Sequence, residues 1–280
     1  MLTIEPHGGI CNRLFALHSA HCLARDTGQD LRVLWNISPD LGAKFEDLFT
    51  VPSVVDRLIS IVRFPPSDLA KVRQKLRLLS IWPPLRHDFG WREVIQMQLD
   101  GVDFPAIARR KNVHIEAVSL FYAGREPFFP FQPSEPLAKR IDEEAKGFED
   151  LVGVHIRRTD NVKSKEQSPT EQFIEEMQKI LAETPSQRFF LATDDPAEIG
   201  QLKDAFPDRI ETRPVKSVDR SDRAALEDAV VDLYCLARTK KVLGSGNATF
   251  SVVGAMLGGH EPVVVTTAAE QTDKKWWLRE

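Results

Sequence analysis

Four short stretches of this 280-residue chain hold residue types that could grip a phosphorylated ligand. The densest is His155-Ile156-Arg157-Arg158-Thr159-Asp160, which follows the apolar run LVGV. A strand alternates faces, so His155 and Arg157 are expected on one side and Ile156 on the other. Two adjacent guanidiniums suit a diphosphate, because each planar fork can bind phosphate oxygens in pairs. Charged residues seldom continue a buried strand for packing reasons. The plainer alternative pairs Arg158 with Asp160 or a surface carboxylate and leaves His155 as a hydrogen-bonded core histidine.

The second stretch, Gly8-Gly9-Ile10-Cys11-Asn12-Arg13, sits between a short apolar run and a helical pattern. Glycines there let the backbone approach an anion, the helix start offers N–H donors, and Asn12 and Arg13 would add side-chain donors. It is short of a full GxGxxG, and such a turn can be purely structural. The third is Thr193-Asp194-Asp195-Pro196. Its carboxylates could accept ribose hydroxyls, or cap a helix, since Asp before Pro is ordinary capping chemistry. A metal is disfavoured, with no third ligand at suitable spacing. The fourth runs from Gly244 and Ser245 through Gly246 and Asn247 to Thr249, Phe250 and Ser251, a small-residue turn opening a helix and a second anion cradle. The helix before it carries Asp228 and Asp232. A carboxylate beside a purine can accept from guanine N1–H and N2–H₂ together, a donor pair that adenine lacks; the alternative is a solvated helix face.

The elements that must position these groups read as α/β. Leu2–Ile4, Leu31–Trp35, Val113–Ser119, Leu151–Ile156, Arg188–Ala192, Lys241–Leu243 and Pro262–Thr266 read as strands. Asn12–Thr27, Pro136–Gly147, Thr170–Glu183, a segment from about Ala197, Ala224–Arg238 and Phe250–Leu257 read as helices. Residues 45 to 136 look irregular and proline-rich, with a basic helix candidate over Asp68–Leu79. The prolines between Pro127 and Pro136 mark the expected boundary. Two domains are therefore expected, 1–133 with the glycine loop and 134–280 as a Rossmann-like half, in keeping with about 150 residues per domain.

Bulk composition narrows the function. A formal net charge of -4 argues against a general nucleic-acid-binding surface, which normally needs a basic excess. Cys11, Cys22 and Cys235 form an odd set without a CxxC pair, so neither a disulfide framework nor a structural zinc site is expected. Neither a signal-peptide pattern nor a membrane-length apolar run is visible, and a reducing, cytoplasmic setting is the default expectation.

Together, GGICNRL, VGVHIRRTDN, and LATDDP followed by NATFS resemble the fucosyltransferase superfamily of GT-B type. That group includes α1,6-, α1,2-, nodulation and protein O-fucosyltransferases. His-x-Arg-Arg-x-Asp is its most specific motif, and the match is to the α1,6-like version; residues 45–135 lie outside the likeness. The resemblance implies two Rossmann-like domains with a cleft between them and transfer of fucose from GDP-fucose to a glycan, peptide or small-molecule acceptor, without a metal or other cofactor. It implies that Arg157 binds the β-phosphate, that His155 and Asp160 shape that site, and that Asp232 reads guanine. Thr249, Phe250 and Ser251 would wrap the nucleotide, Asn12 would face sugar and acceptor, and Asp194 and Asp195 match the family's acidic pair. Asn161 stands where α1,6-type enzymes carry lysine, and Glu166 is the counterpart, displaced by a position, of the acid that could serve as base. A transferase for another nucleotide sugar and a silent GDP-sugar-binding module are the alternatives.

Overall fold

Two parallel sheets, each built on short apolar strands, organise the protein. In the computed structural model residues 1–62, 87–125, 127–159, 162–214 and 217–267 are described. They form two compact units, the first holding residues 1–134 with 220–226, the second 135–219 and the described residues from 227 onward. The basic helix candidate over 68–79 lies outside the described residues. No helix among them is long and apolar enough to cross a membrane.

The first unit contains β1 (Leu2–Pro6), β2 (Leu31–Ile37), β3 (Val55–Val62), β4 (His87–Phe89) and β5 (Val113–Ala117), in the spatial order β3-β2-β1-β5-β4. Register stacks Leu2 on Leu31 and Val113, and Ile4 on Val33 and Ile115, so one face is a dry layer of buried aliphatics. The opposite face carries Thr3 and Glu5 beside His114 and Glu116. Parallel strands covered on both sides normally read as continuous apolar runs; here β1 and β5 alternate apolar with polar residues. α1 (Ile10–Thr27) starts directly after Gly9 and stops at Gly28, whose φ of 63° is the left-handed cap that glycine supplies without strain.

The middle of the chain is more regular than its prolines suggest. Beyond α2 (Phe45–Leu48), β3 and β4, the structure adds α3 (Trp91–Leu99) and α4 (Phe104–Ala108). The proline-rich run near 130 is a strap. Phe128 meets Phe15 and His18 of α1, Phe129 meets His21, and Phe131 meets Phe49. The prolines keep it out of helix and sheet while its phenylalanines cover the first unit, and the break between units follows Ser134.

In the second unit, helix α5 (Glu135–Glu144) leads to β6 (Val152–Ile156). Then come α6 (Val162–Gln167), α7 (Thr170–Glu183), β7 (Phe189–Thr193), α8 (Pro196–Ala205), β8 (Ile210–Thr212), α9 (Arg223–Ala237), β9 (Lys241–Ser245), α10 (Thr249–Leu257) and β10 (Val263–Val265). The order is β10-β9-β6-β7-β8, all parallel. Val152, Val154 and Ile156 pack with Phe173, Met177 and Leu202 in one core layer. On the other face α10 closes tightly on β9: a Cβ added to Gly244 would stand 2.1 Å from Ser251 Oγ and 2.2 Å from its Cβ. Gly244→Ala is therefore expected to lower stability by ~1–3 kcal/mol through overpacking. The double variant with Ser251→Gly should recover part of that loss in urea unfolding.

Candidate active site

Three neighbouring strands of the second sheet, β9, β6 and β7, end side by side. After β6 the chain builds β7 and β8 on one side, then β9 and β10 on the other. Ligands of open parallel sheets bind beyond the carboxyl ends at such a switch point. Arg157 is the first residue past β6, and its side chain is half-buried. Its backbone N–H donates to Ser245 Oγ at 3.1 Å, and its NH1 lies 3.0 Å from Asp194 Oδ2. Asp194, the first residue past β7, also accepts from the N–H groups of Arg158 (2.7 Å) and Thr159 (3.1 Å) and from the Thr159 hydroxyl (2.6 Å). Burial works to raise the Asp194 pKa. The Thr159 hydroxyl, the Arg157 charge and the two N–H donors outweigh it and hold the carboxyl below its ordinary value. An ionised Asp194 thus fixes the 157–159 loop and aims Arg157.

His155 is buried and stacked on Phe250, with ring centroids 4.9 Å apart and planes at 27°. Burial, helped by the Arg157 charge, pushes its pKa down to about 3, so the imidazole is neutral at pH 7. Its Nδ1 is buried without a hydrogen-bond partner among the described residues. Leaving such an atom unsatisfied costs ~1–3 kcal/mol, a cost that a ligand group at Nδ1 would remove. Close by in the chain, α10 begins at Ala248 without a side-chain cap, so the N–H groups of Thr249, Phe250 and Ser251 form an uncapped helix start. The cluster joins one oriented guanidinium, one neutral imidazole and one helix N-terminus, a set suited to a diphosphate.

The chain is similar in structure to the fucosyltransferase NodZ from Bradyrhizobium, at 19% identity, covering 90% of each chain, with a TM-score of 0.62. NodZ α-1,6-fucosyltransferase soaked with GDP-fucose gives 18% identity, 91% and 92% coverage and a TM-score of 0.57. POFUT1 in complex with GDP-fucose gives 12% identity, 95% and 97% coverage and a TM-score of 0.57. The fold is that of these fucosyltransferases. No family model matches the sequence, and no curated protein does.

Several expected site residues have other work. The Arg158 guanidinium is held in the helix layer. Its Nε donates to Glu198 at 2.7 Å, its NH2 to Thr170 Oγ1 at 3.0 Å and its NH1 to the Arg157 carbonyl at 3.1 Å. The reason is strand parity: Arg158 continues the row of Val154 and Ile156 that faces the helix layer. Arg13 is 1% exposed; it donates to the carbonyls of Gly8 and Asn36 and lies 4.7 Å over the Trp35 ring, so it braces the glycine corner from inside. Asp195 is the N-cap of α8, accepting from Ala197 N–H at 2.9 Å ahead of Pro196. The Gly246 N–H, expected in the second cradle, donates to Ser168 Oγ at 2.7 Å, and Ser251 Oγ turns back to the Ala248 carbonyl.

Asp232 meets Arg213, whose guanidinium also engages Glu144 and Asp228. Burial opposes the Arg213 charge, but Asp232 and Glu144 hold its pKa above the usual arginine value. Glu166 is exposed on α6, Asn12 packs its amide against Gly8 in the first turn of α1, and Asp160 lies outside the described residues. The first unit also gathers Glu5, His7 and Glu116. No local motif announces them, because only the pairing of β1 with β5 brings them together.

Two outcomes separate these roles. Glu198→Ala strands a buried guanidinium and should cost ~3–5 kcal/mol in urea unfolding, whereas Arg157→Ala should cost less than ~1 kcal/mol. Asp194 has a depressed folded pKa, so its stabilisation is complete above the ordinary carboxylate value and fades as pH falls below ~4. The stability advantage of wild type over Asp194→Asn should therefore shrink between pH 7 and pH 3.

Proposed function

We propose that this chain is a glycosyltransferase that binds GDP-fucose at the crest of its second sheet and transfers fucose to an acceptor hydroxyl. The observation that carries the reading is the aimed Arg157 beside the orphaned His155 Nδ1, at the switch point of the sheet. The fold likeness to NodZ soaked with GDP-fucose and to POFUT1 in complex with GDP-fucose supports the choice of donor.

Fucose leaves GDP through an oxocarbenium-like transition state, and negative charge gathers on the β-phosphate oxygens as the glycosidic bond breaks. Arg157, oriented beforehand by Asp194, meets that charge without reorganising, so it binds the transition state more strongly than the ground state. The neutral His155 donates or accepts one hydrogen bond at Nδ1 without adding charge. The uncapped start of α10 supplies backbone donors to the same anion. Arginine and helix dipole offset part of the diphosphate charge there, and no metal is assigned to the transfer step. Attack by the acceptor opposite the departing GDP inverts the anomeric centre, with Glu166 as the base.

Arg157→Ala should lower turnover of GDP-fucose by about 10²–10³-fold, the usual effect of losing such a donor, and weaken GDP binding in calorimetry. Near-normal turnover would remove the role. In a thermal-shift panel of GDP-fucose, GDP-mannose, UDP- and ADP-sugars, GDP-fucose should stabilise the protein most; a larger shift with another donor would reassign the substrate.

A further inference from the structure

The first sheet has its own switch point, and it is lined by ligating groups. From β1 the chain builds β2 and β3 on one side, while β5 and β4 lie on the other. Glu5 of β1 stands in register with Glu116 of β5, and His7 follows β1 with its N–H bonded to the Ala117 carbonyl. His7 Nε2 lies 3.4 Å from Glu5 Oε1 and 3.7 Å from Glu116 Oε2, and the ligand atoms of all three residues fall within 4.8 Å of one another. We propose that Glu5, His7 and Glu116 bind one divalent first-row transition-metal ion.

Ligand atoms placed tetrahedrally at ~2.0–2.2 Å from a cation stand ~3.3–3.6 Å apart, close to the spacings seen from His7. Two glutamates side by side across a strand pair repel each other, and a divalent ion between them cancels their charge. One imidazole with two carboxylates suits zinc, cobalt or manganese, whereas calcium and magnesium take oxygen ligands.

A supporting shell is present. His114 Nε2 lies 3.2 Å from Glu5 Oε2, and its Nδ1 lies 2.7 Å from Asp88 Oδ1. The Asn36 amide donates to Glu5 Oε1. Carboxylate and imidazole ligands are commonly oriented by such outer partners. His7 adjoins Gly8, whose φ is +80°, and α1 starts two residues later. The ion would pin the glycine corner to both strands. The site stands within the first unit, independent of how the second binds a nucleotide.

The test uses the full chain, treated with EDTA and titrated with cobalt(II) chloride, read by visible absorption and by calorimetric stoichiometry. One cobalt per chain is expected, with zinc(II) chloride displacing it. Glu116→Gln, at a partly exposed position, and His7→Asn should each weaken uptake tenfold or more while leaving the far-ultraviolet circular dichroism unchanged. Failure of wild type to take up cobalt would overturn the site. Uptake unaffected by both substitutions would overturn it too, as would a thiolate charge-transfer band placing the ion at Cys22 and His18.

Discussion

The carboxylate of Asp194, held in place at the end of β7, accepts from two backbone N–H groups, one hydroxyl and one guanidinium. In the loop that follows β6 the amides are satisfied by side chains, those of Arg158 and Thr159 by Asp194 and that of Arg157 by Ser245. Because the carboxylate is ionised and already bonded, Arg157 is pulled to it and stays at the crest of the sheet. Without that clamp the guanidinium would be a long side chain with many rotamers, and its use against a developing phosphate charge would carry an ordering cost.

Strand parity divides the labour between neighbouring charges. Val154, Ile156 and Arg158 face the layer of α7 and α8, where Arg158 is neutralised by Glu198 and donates to the Thr170 hydroxyl. His155 faces α10 and stacks on Phe250. A buried ion pair below and an oriented arginine above thus come from adjacent residues. The same parity operates in the first sheet, where it places the aliphatics of β1 and β5 on one side and Glu5, His114 and Glu116 on the other. Each sheet therefore presents polar chemistry at the point where its strand order reverses.

The strands and helices around the glycine corners were readable in the sequence because their apolar spacing is strong. Thr170–Glu183 is helical over the residues its periodicity indicates, and β6 ends where the charged residues begin, whereas β9 runs on through Gly244 and Ser245, two residues past the expected end at Leu243. Apart from β5, expected over Val113–Ser119 and found at Val113–Ala117, the middle was not readable. β3 lies at a sheet edge, with exposed Asp56 and Arg57 interrupting its apolar residues, and β4 has only three residues. The prolines near 130 hid an aromatic strap, since its phenylalanines pack on helices far away in sequence. The motif in HIRR was visible, but the partner that takes Arg158 out of the site, Glu198, sits on a different helix. Glu5, His7 and Glu116 were invisible for the same reason: register, not spacing, assembles them.

The most direct measurement is a crystal structure of this chain with GDP. The account predicts the β-phosphate within hydrogen-bonding distance of the Arg157 guanidinium and His155 Nδ1, facing the first turn of α10, with Arg158 still on Glu198. A diphosphate bound away from the carboxyl ends of β6 and β9, or held by Arg158 while Arg157 contacts only Asp194, would contradict it.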